Sequence, residues 1–115
     1  MTIQYGFPAQ PAALSEVCAQ VPLGWRPLLS TLLANLAGEG WDGELLQVKE
    51  KLGGLRVYIG AGSDAVFDLI CAAEGESLRT CQACGGPGRG WERGGRWRTL
   101  CEGCAEKRNE EESVG

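Results

Sequence analysis

The residues of this chain with the most definite chemistry are four cysteines. Cys81 and Cys84 form a C-x2-C pair, sixteen residues follow, and Cys101 and Cys104 form a second pair. Two cysteines three positions apart can aim both sulfurs inward when the chain turns tightly, and Gly85-Gly86 permits that turn. Four thiolates at about 2.3 Å satisfy tetrahedral zinc, an ion that imposes no d-electron geometry of its own. The separation of the pairs falls in the range of two-pair zinc sites. The expectation is one structural Zn2+ held by Cys81, Cys84, Cys101 and Cys104. Disulfide pairing and a redox dithiol are the alternatives within sulfur chemistry. Iron is the alternative metal.

An all-cysteine site is closed. A catalytic zinc keeps a position open for water beside three protein ligands, so this one is expected to hold structure. In small fingers such a metal contributes on the order of 10–16 kcal/mol of apparent binding free energy to folding. The chain contains no histidine, which removes the commonest general base. No paired-acid or nucleophile motif stands out either, and the chain is expected not to be an enzyme.

Between the cysteine pairs lies GRGWERGGRWRTL, which reads as a β-hairpin with Trp91 and Trp97 on its arms and Gly94-Gly95 at its tip. Arg89, Arg93, Arg96 and Arg98 crowd the same stretch. With the two tryptophans they are candidates for contact with nucleic acid or another partner, arginine on phosphate and ring on base. Lys49, Lys51 and Arg56 could extend that basic surface. The competing reading has the tryptophans pack the hairpin onto the metal site while the arginines pair with nearby acids. Strand-edge lysines are also ordinary protection against aggregation. The whole chain is acidic, with a pI near 4.8, unlike dedicated nucleic-acid binders.

These groups need elements to position them. AEKRNEEE after Cys104 has helical propensity, so the second pair should open a helix. Knuckle, hairpin, knuckle, helix is the order of a treble-clef finger, with a plain zinc ribbon as the fallback. Upstream, WRPLLSTLLANLAGEG is the clearest helix. Leu28, Leu29, Leu32, Leu33 and Leu36 recur at helical spacing, Pro27 suits the first turn and Gly38 is a stop. GEGWDGE reads as a turn and ELLQVKEKLGGLRVYIG as a hairpin turning at Gly53-Gly54. Ser63 caps the next helix, SDAVFDLICAAEGESL, whose buried stripe is Val66, Ile70 and Ala73, flanked by Phe67, Cys71 and Leu78. Cys71 and Cys18 are read as small buried hydrophobes. Ala12–Gln20 suits a short helix, and the first eleven residues an extended surface segment.

The expected class is α+β: helices and a β-hairpin forming a small core, followed by a C-terminal four-cysteine treble-clef or zinc-ribbon finger. Charge divides the chain in the same way. Residues 1–78 carry four basic and nine acidic side chains, residues 79–108 seven basic and three acidic, and Glu110–Glu112 restore the total of −4. The organisation follows as an acidic helical and hairpin domain over 1–78, a finger over 79–108 and a disordered acidic tail over 109–115. No apolar run approaches the roughly 20 residues that cross a bilayer, and MTIQYGFPAQPAAL lacks the pattern of a secretory signal. A cytoplasmic protein without membrane contact is expected, in a compartment where thiols stay reduced.

QVKEKLGGLRVYI, then a helix, then RTCQACGGPGR and GGRWRTLC, resembles a group of small proteins of bacteria and their phages. In that group a VKEKFGGLRFY-like hairpin precedes a helix and a four-cysteine finger. The likeness covers roughly residues 41–104, and this chain has Leu52 and Val57 where the group has aromatic residues. The resemblance implies a bacterial or phage origin and no particular activity.

The function expected on this footing is a non-enzymatic zinc-binding module that engages a bacterial protein or ribonucleoprotein complex. One form of it, implied by the resemblance alone, is a phage or mobile-element inhibitor of a bacterial defence complex, such as an anti-CRISPR protein. There the acidic front half would compete for a basic channel, with Trp41 and the hairpin offering aromatic contact. The alternative is a DNA- or RNA-binding regulator acting through the arginine and tryptophan hairpin.

Overall fold

The computed structural model describes residues 3–4 and 17–107. Within them the chain is α+β. In order come β1 (Ile3–Gln4), a short 3-10 turn (Leu23–Trp25), α1 (Arg26–Gly38), β2 (Glu44–Lys51), β3 (Gly54–Ile59), α2 (Asp64–Ser77), β4 (Arg89–Arg93) and β5 (Arg96–Leu100). Residues 102–107 are helical as well. β1, β2 and β3 form one antiparallel sheet in that order, and β4 and β5 a separate two-stranded one. Of the helix expected over 12–20, only residues 17–20 are described, with Val17 and Cys18 helical. The pairing of Ile3 with Leu45 and Gln4 with Glu44 makes a strand inside what the sequence presents as a plain extended lead-in.

α1 forms where the leucine stripe places it. Leu29, Leu32, Leu33 and Leu36 are buried, each contributing roughly 2 kcal/mol of transfer free energy, whereas Leu28 is half-buried at the margin. The helix stops at Gly38, and the ending is completed at Gly40. Gly40 takes φ +86°, its N–H reaches the Ala37 carbonyl, and the Trp41 N–H reaches the Leu36 carbonyl at 3.0 Å. That is a Schellman ending, which needs the left-handed conformation one residue past the cap and brings the next side chain onto the helix's apolar end. Trp41 is therefore buried, at 6% exposure, and is not the surface aromatic expected above. Trp25 is fully buried too.

β2 carries one extra residue. Leu45 pairs with Ile59 and Gln47 with Tyr58, so Leu46 bulges out of the ladder. Leu45 and Val48 are three positions apart and would face opposite sides of a regular strand; the bulge turns both into the core. The β2–β3 turn sits one residue earlier than the sequence suggests. Lys51 pairs with Gly54, and the central residues are Leu52 at φ +53° and Gly53 at φ +82°. Positive φ at both positions is the type I′ pattern, and for leucine it costs roughly 1–2 kcal/mol. Glu50 helps to hold the turn by accepting the Gly53 N–H at 2.7 Å. The same device recurs at the β4–β5 turn, where Gly94 (φ +60°) and Gly95 (φ +82°) are central and Glu92 accepts the Gly95 N–H at 3.0 Å.

α2 begins at Ser63, whose hydroxyl accepts the Val66 N–H, and buries Val66, Ile70 and Ala73 as its periodicity requires. Its last turn also covers the open edge of β3. The Leu55 N–H donates to Ser77 Oγ at 2.9 Å and the Val57 N–H to Glu74 Oε2 at 3.0 Å. Edge amides that would otherwise recruit another strand are thereby occupied. The flank of the helix is more open than expected: Phe67 and Leu78 are exposed, and so is Cys71, which is therefore not a buried hydrophobe. The outer face lacks a packing partner among the described elements, and a cysteine there stays in water. Cys18 does pack against the core, and burial pushes its thiol up. Among the described residues no helix is long and apolar enough to cross a membrane.

Candidate metal centre

The two C-x2-C pairs form two similar knuckles. In the first, Gly85 at φ +83° lets the chain double back, with the Gly85 N–H on the Cys81 carbonyl at 2.9 Å and the Cys81 N–H on the Gly86 carbonyl at 2.8 Å. The Cys84 N–H then points at Cys81 Sγ, 3.5 Å away, and the Gly86 N–H at Cys84 Sγ, 3.4 Å away. In the second, the Cys104 N–H points at Cys101 Sγ at 3.4 Å, and the Ala105 N–H on the Cys101 carbonyl opens the helical residues 102–107. Backbone N–H groups aimed at sulfur stabilise thiolates and fix the direction in which their remaining lone pairs point.

The β4–β5 hairpin and the core bring the knuckles together. All four Sγ atoms lie within 4.8 Å of one another, and Cys84 and Cys101 are 3.8 Å apart. A regular tetrahedron with metal–sulfur bonds of about 2.3 Å has edges of roughly 3.8 Å, so the donor set fits one tetrahedral ion. All six cysteines are unbridged. Cys81 is buried, Cys101 and Cys104 half-buried and Cys84 exposed.

The sulfurs are chemically unequal before any ion binds. Burial by itself pushes the Cys81 thiol up, but hydrogen bonds from the Cys101, Cys84 and Ala83 amides and from the Cys84 thiol outweigh it and lower it to about 6. Cys104 moves the other way, to about 12, because its proton is shared with Cys101 and Cys81 and its ionisation would add a second negative charge beside Cys81. One thiolate in contact with neighbouring thiols is a group with a strong affinity for a thiophilic cation.

Around the sulfurs the packing is tight. Cys81, Leu100 and Ala105 form a small apolar cluster against which Trp91 packs, its Nε1 donating to the Leu100 carbonyl at 2.8 Å. Four further hydrogen bonds tie this unit together and to the main core. The Gly24 N–H donates to the Gln82 carbonyl (2.8 Å), Trp25 Nε1 to the Thr80 carbonyl (2.8 Å), Thr99 Oγ1 to the Gly53 carbonyl (2.7 Å), and the Thr99 N–H to Gln82 Oε1 (2.7 Å). Gly24, Gln82 and Thr99 hold the knuckle against the core, and nothing in their types or spacing marks them in the sequence.

The β4–β5 register places Trp91 opposite Arg98, Arg93 opposite Arg96 and Arg89 opposite Leu100, so all four arginines share one face with Trp91. Trp97 lies on the other face with Glu92, Gly90 and Thr99. The Arg89 guanidinium stacks on the Trp91 ring, 3.7 Å from its centre. Arg98 reaches Glu50 of β2 at 3.5 Å, and Arg93 also interacts within the chain. On the first hairpin, Arg56 pairs with Glu74 at 3.7 Å and Lys49 lies over the Tyr58 ring at 5.8 Å, while Lys51 stands exposed at the turn. The structure thus gathers the finger's arginines onto one face and engages most of the cations internally.

Fold and site together define a small α+β protein whose C-terminal part closes four cysteine sulfurs into one metal-sized cluster. No family model, curated protein or solved structure matches the chain.

Proposed function

We propose that this protein is a structural-zinc protein, with Zn2+ held by Cys81, Cys84, Cys101 and Cys104 in a treble-clef finger, and that it acts as a non-enzymatic module binding a protein partner in the bacterial cytoplasm. The observation that carries the reading is the closed sulfur cluster with backbone N–H groups aimed at its sulfurs. Four thiolates fill a tetrahedral shell, leaving no position for a reacting water. A rigid finger fixed to a small core is a platform for recognition. The narrower form, a phage-borne inhibitor of a bacterial defence complex, draws its support from the VKEK-type hairpin and finger resemblance. The nucleic-acid alternative is weakened by the internal engagement of Arg89, Arg93 and Arg98.

Elemental analysis of protein purified without chelator tests the metal: zinc near one per chain is expected. Iron in its place changes the cofactor, and neither metal ends the reading. Affinity purification from bacterial lysate followed by mass spectrometry tests the partner. Recovery of no stoichiometric protein, with nucleic acid retained instead, would transfer the assignment to the alternative.

A further inference from the structure

The four cysteines of the cluster differ in what covers them. Cys81 is fully buried, Cys101 and Cys104 are half-buried, and Cys84 is exposed, as are Ala83 and Gly85 beside it. Glycine leaves the Cys84 sulfur bare. A Cβ on Gly86 would stand 3.5 Å from Cys84 Sγ, and among the described residues, its chain neighbours aside, it would meet no other atom within 4 Å. The first knuckle grips the core through its other end. The carbonyls of Thr80 and Gln82, which flank Cys81, accept from Trp25 Nε1 and the Gly24 N–H. Cys84 is left on the outer lip, where a small solute can reach its sulfur. Four thiolates fill the positions on a metal, yet that shell does not shield the sulfurs themselves from solvent.

A second sulfur is in place to complete a reaction there. Cys101 Sγ, from the other knuckle, is 3.8 Å from Cys84 Sγ, against about 2.0 Å in a disulfide. An accessible sulfur beside a partner thiol is the arrangement of oxidant-sensitive cysteines. We infer that Cys84 is an oxidation site for hydrogen peroxide, with Cys101 as the resolving thiol, so that oxidant exchanges the metal for a disulfide across the knuckles. The Cys84 thiolate attacks one peroxide oxygen: an S–O bond forms, the O–O bond breaks, hydroxide leaves and Cys84 becomes a sulfenic acid. The Cys101 thiolate then attacks that sulfur: an S–S bond forms, the S–O bond breaks and a second hydroxide leaves. Two thiolates have lost two electrons to one peroxide, and solvent protons turn both hydroxides into water. Only Cys81 and Cys104 remain as ligands, too few for a tetrahedral site, and the ion departs. The new bond joins the same two knuckles that the metal joined, so the finger stays closed, and a dithiol with zinc restores the loaded form. This rests on the zinc reading above and adds its redox response.

The test uses the full metal-loaded chain carrying Cys71→Ser, which removes the exposed thiol of α2 from the count, with hydrogen peroxide and a colorimetric zinc indicator. Zinc is expected to appear in step with the loss of two thiols per chain, and peptide mapping to find Cys84 joined to Cys101. The oxidised protein should melt above protein stripped of metal by a chelator under reducing conditions. Dithiothreitol with zinc should return the metal content to its starting value. Gly86, unlike Gly85, lies outside the left-handed region, so Gly86→Val sets a side chain over Cys84 Sγ without removing a ligand or the N–H that points at it. That variant should release zinc at least roughly threefold more slowly from the same starting metal content. The inference is overturned if the chain keeps its zinc and all four thiols under peroxide, if the disulfide joins any pair other than Cys84 and Cys101, if the cluster passes to sulfinic acid without a disulfide, or if Gly86→Val oxidises as fast as its parent. Zinc measured before peroxide is added separates the two readings. A chain that never held metal refutes the zinc site, whereas one that holds zinc and resists oxidant refutes this inference alone.

Discussion

Gly24 lies against Cys81 with no room for a side chain. A Cβ at residue 24 would overlap the Cys81 carbonyl oxygen and stand 2.7 Å from the Gly85 nitrogen and 2.8 Å from the Gln82 carbonyl carbon. All three are backbone atoms of the first knuckle, which cannot swing away as a flexible side-chain end would. The loop that opens α1 is thereby seated on the metal site, and neighbouring Trp25 is hydrogen-bonded to Thr80.

Gly24→Ala should consequently injure both halves of the molecule. A methyl forced into a close-packed contact costs about 3 kcal/mol or more when the obstacle is backbone. The expected outcome is a clearly lower thermal midpoint together with weaker metal retention against a competing chelator. Wild-type-like values for both would show that the knuckle shifts freely.

Acid should release the metal, with the sign set by sulfur protonation. Cys81 is held below its ordinary value, so its contribution to stability is fully present above pH 9.0, the ordinary value, and is lost as pH falls through about 6. Cys104 is raised to about 12, so its neutral form is the one the metal-free fold favours, and an incoming cation must displace that proton. Titrating zinc into weakly buffered metal-free protein near neutral pH should release protons. Acidifying the loaded protein should expel the ion, at a pH below the value near 6 of metal-free Cys81 because a bound cation holds that thiolate lower still, and should change the Trp91 fluorescence.

Ser77→Ala should remove the acceptor that occupies the Leu55 N–H. The serine is fully buried, and leaving that amide without a partner costs about 1–3 kcal/mol. Chemical denaturation should report the loss, and amide exchange at Leu55 should accelerate relative to Val57, whose acceptor is Glu74.

Cys71 should be the fast thiol of the loaded protein. It is exposed on α2, whereas Cys18 is packed against the core with its thiol pushed up. Iodoacetamide followed by peptide mapping should label Cys71 first and Cys18 slowly, and Cys71→Ser should leave metal content unchanged. Rapid labelling of the four clustered cysteines would contradict a closed metal site.

The sequence by itself determined the local features, because each is encoded by residues near one another in the chain. The leucine period made α1, Ser63 capped α2, Gly94-Gly95 turned the finger hairpin, and two C-x2-C pairs chose the sulfurs. Where neighbouring residues could both sit in a turn, the local code was ambiguous by one position. α1 stopped at Gly38 as its glycine suggests, but the first hairpin turned on Leu52-Gly53 and not Gly53-Gly54. Only the tertiary structure decided what depends on contacts between distant segments. The Schellman ending buried Trp41, which sequence could as well have left outside, and the outer face of α2, without a neighbour among the described elements, left Cys71 in water. The seating of Gly24 on Cys81, and of Thr99 on Gly53 across 46 positions of chain, follows from how two sheets and two knuckles close on one another. Such contacts are set by shape and hydrogen-bond satisfaction across the fold, and no spacing along the chain records them.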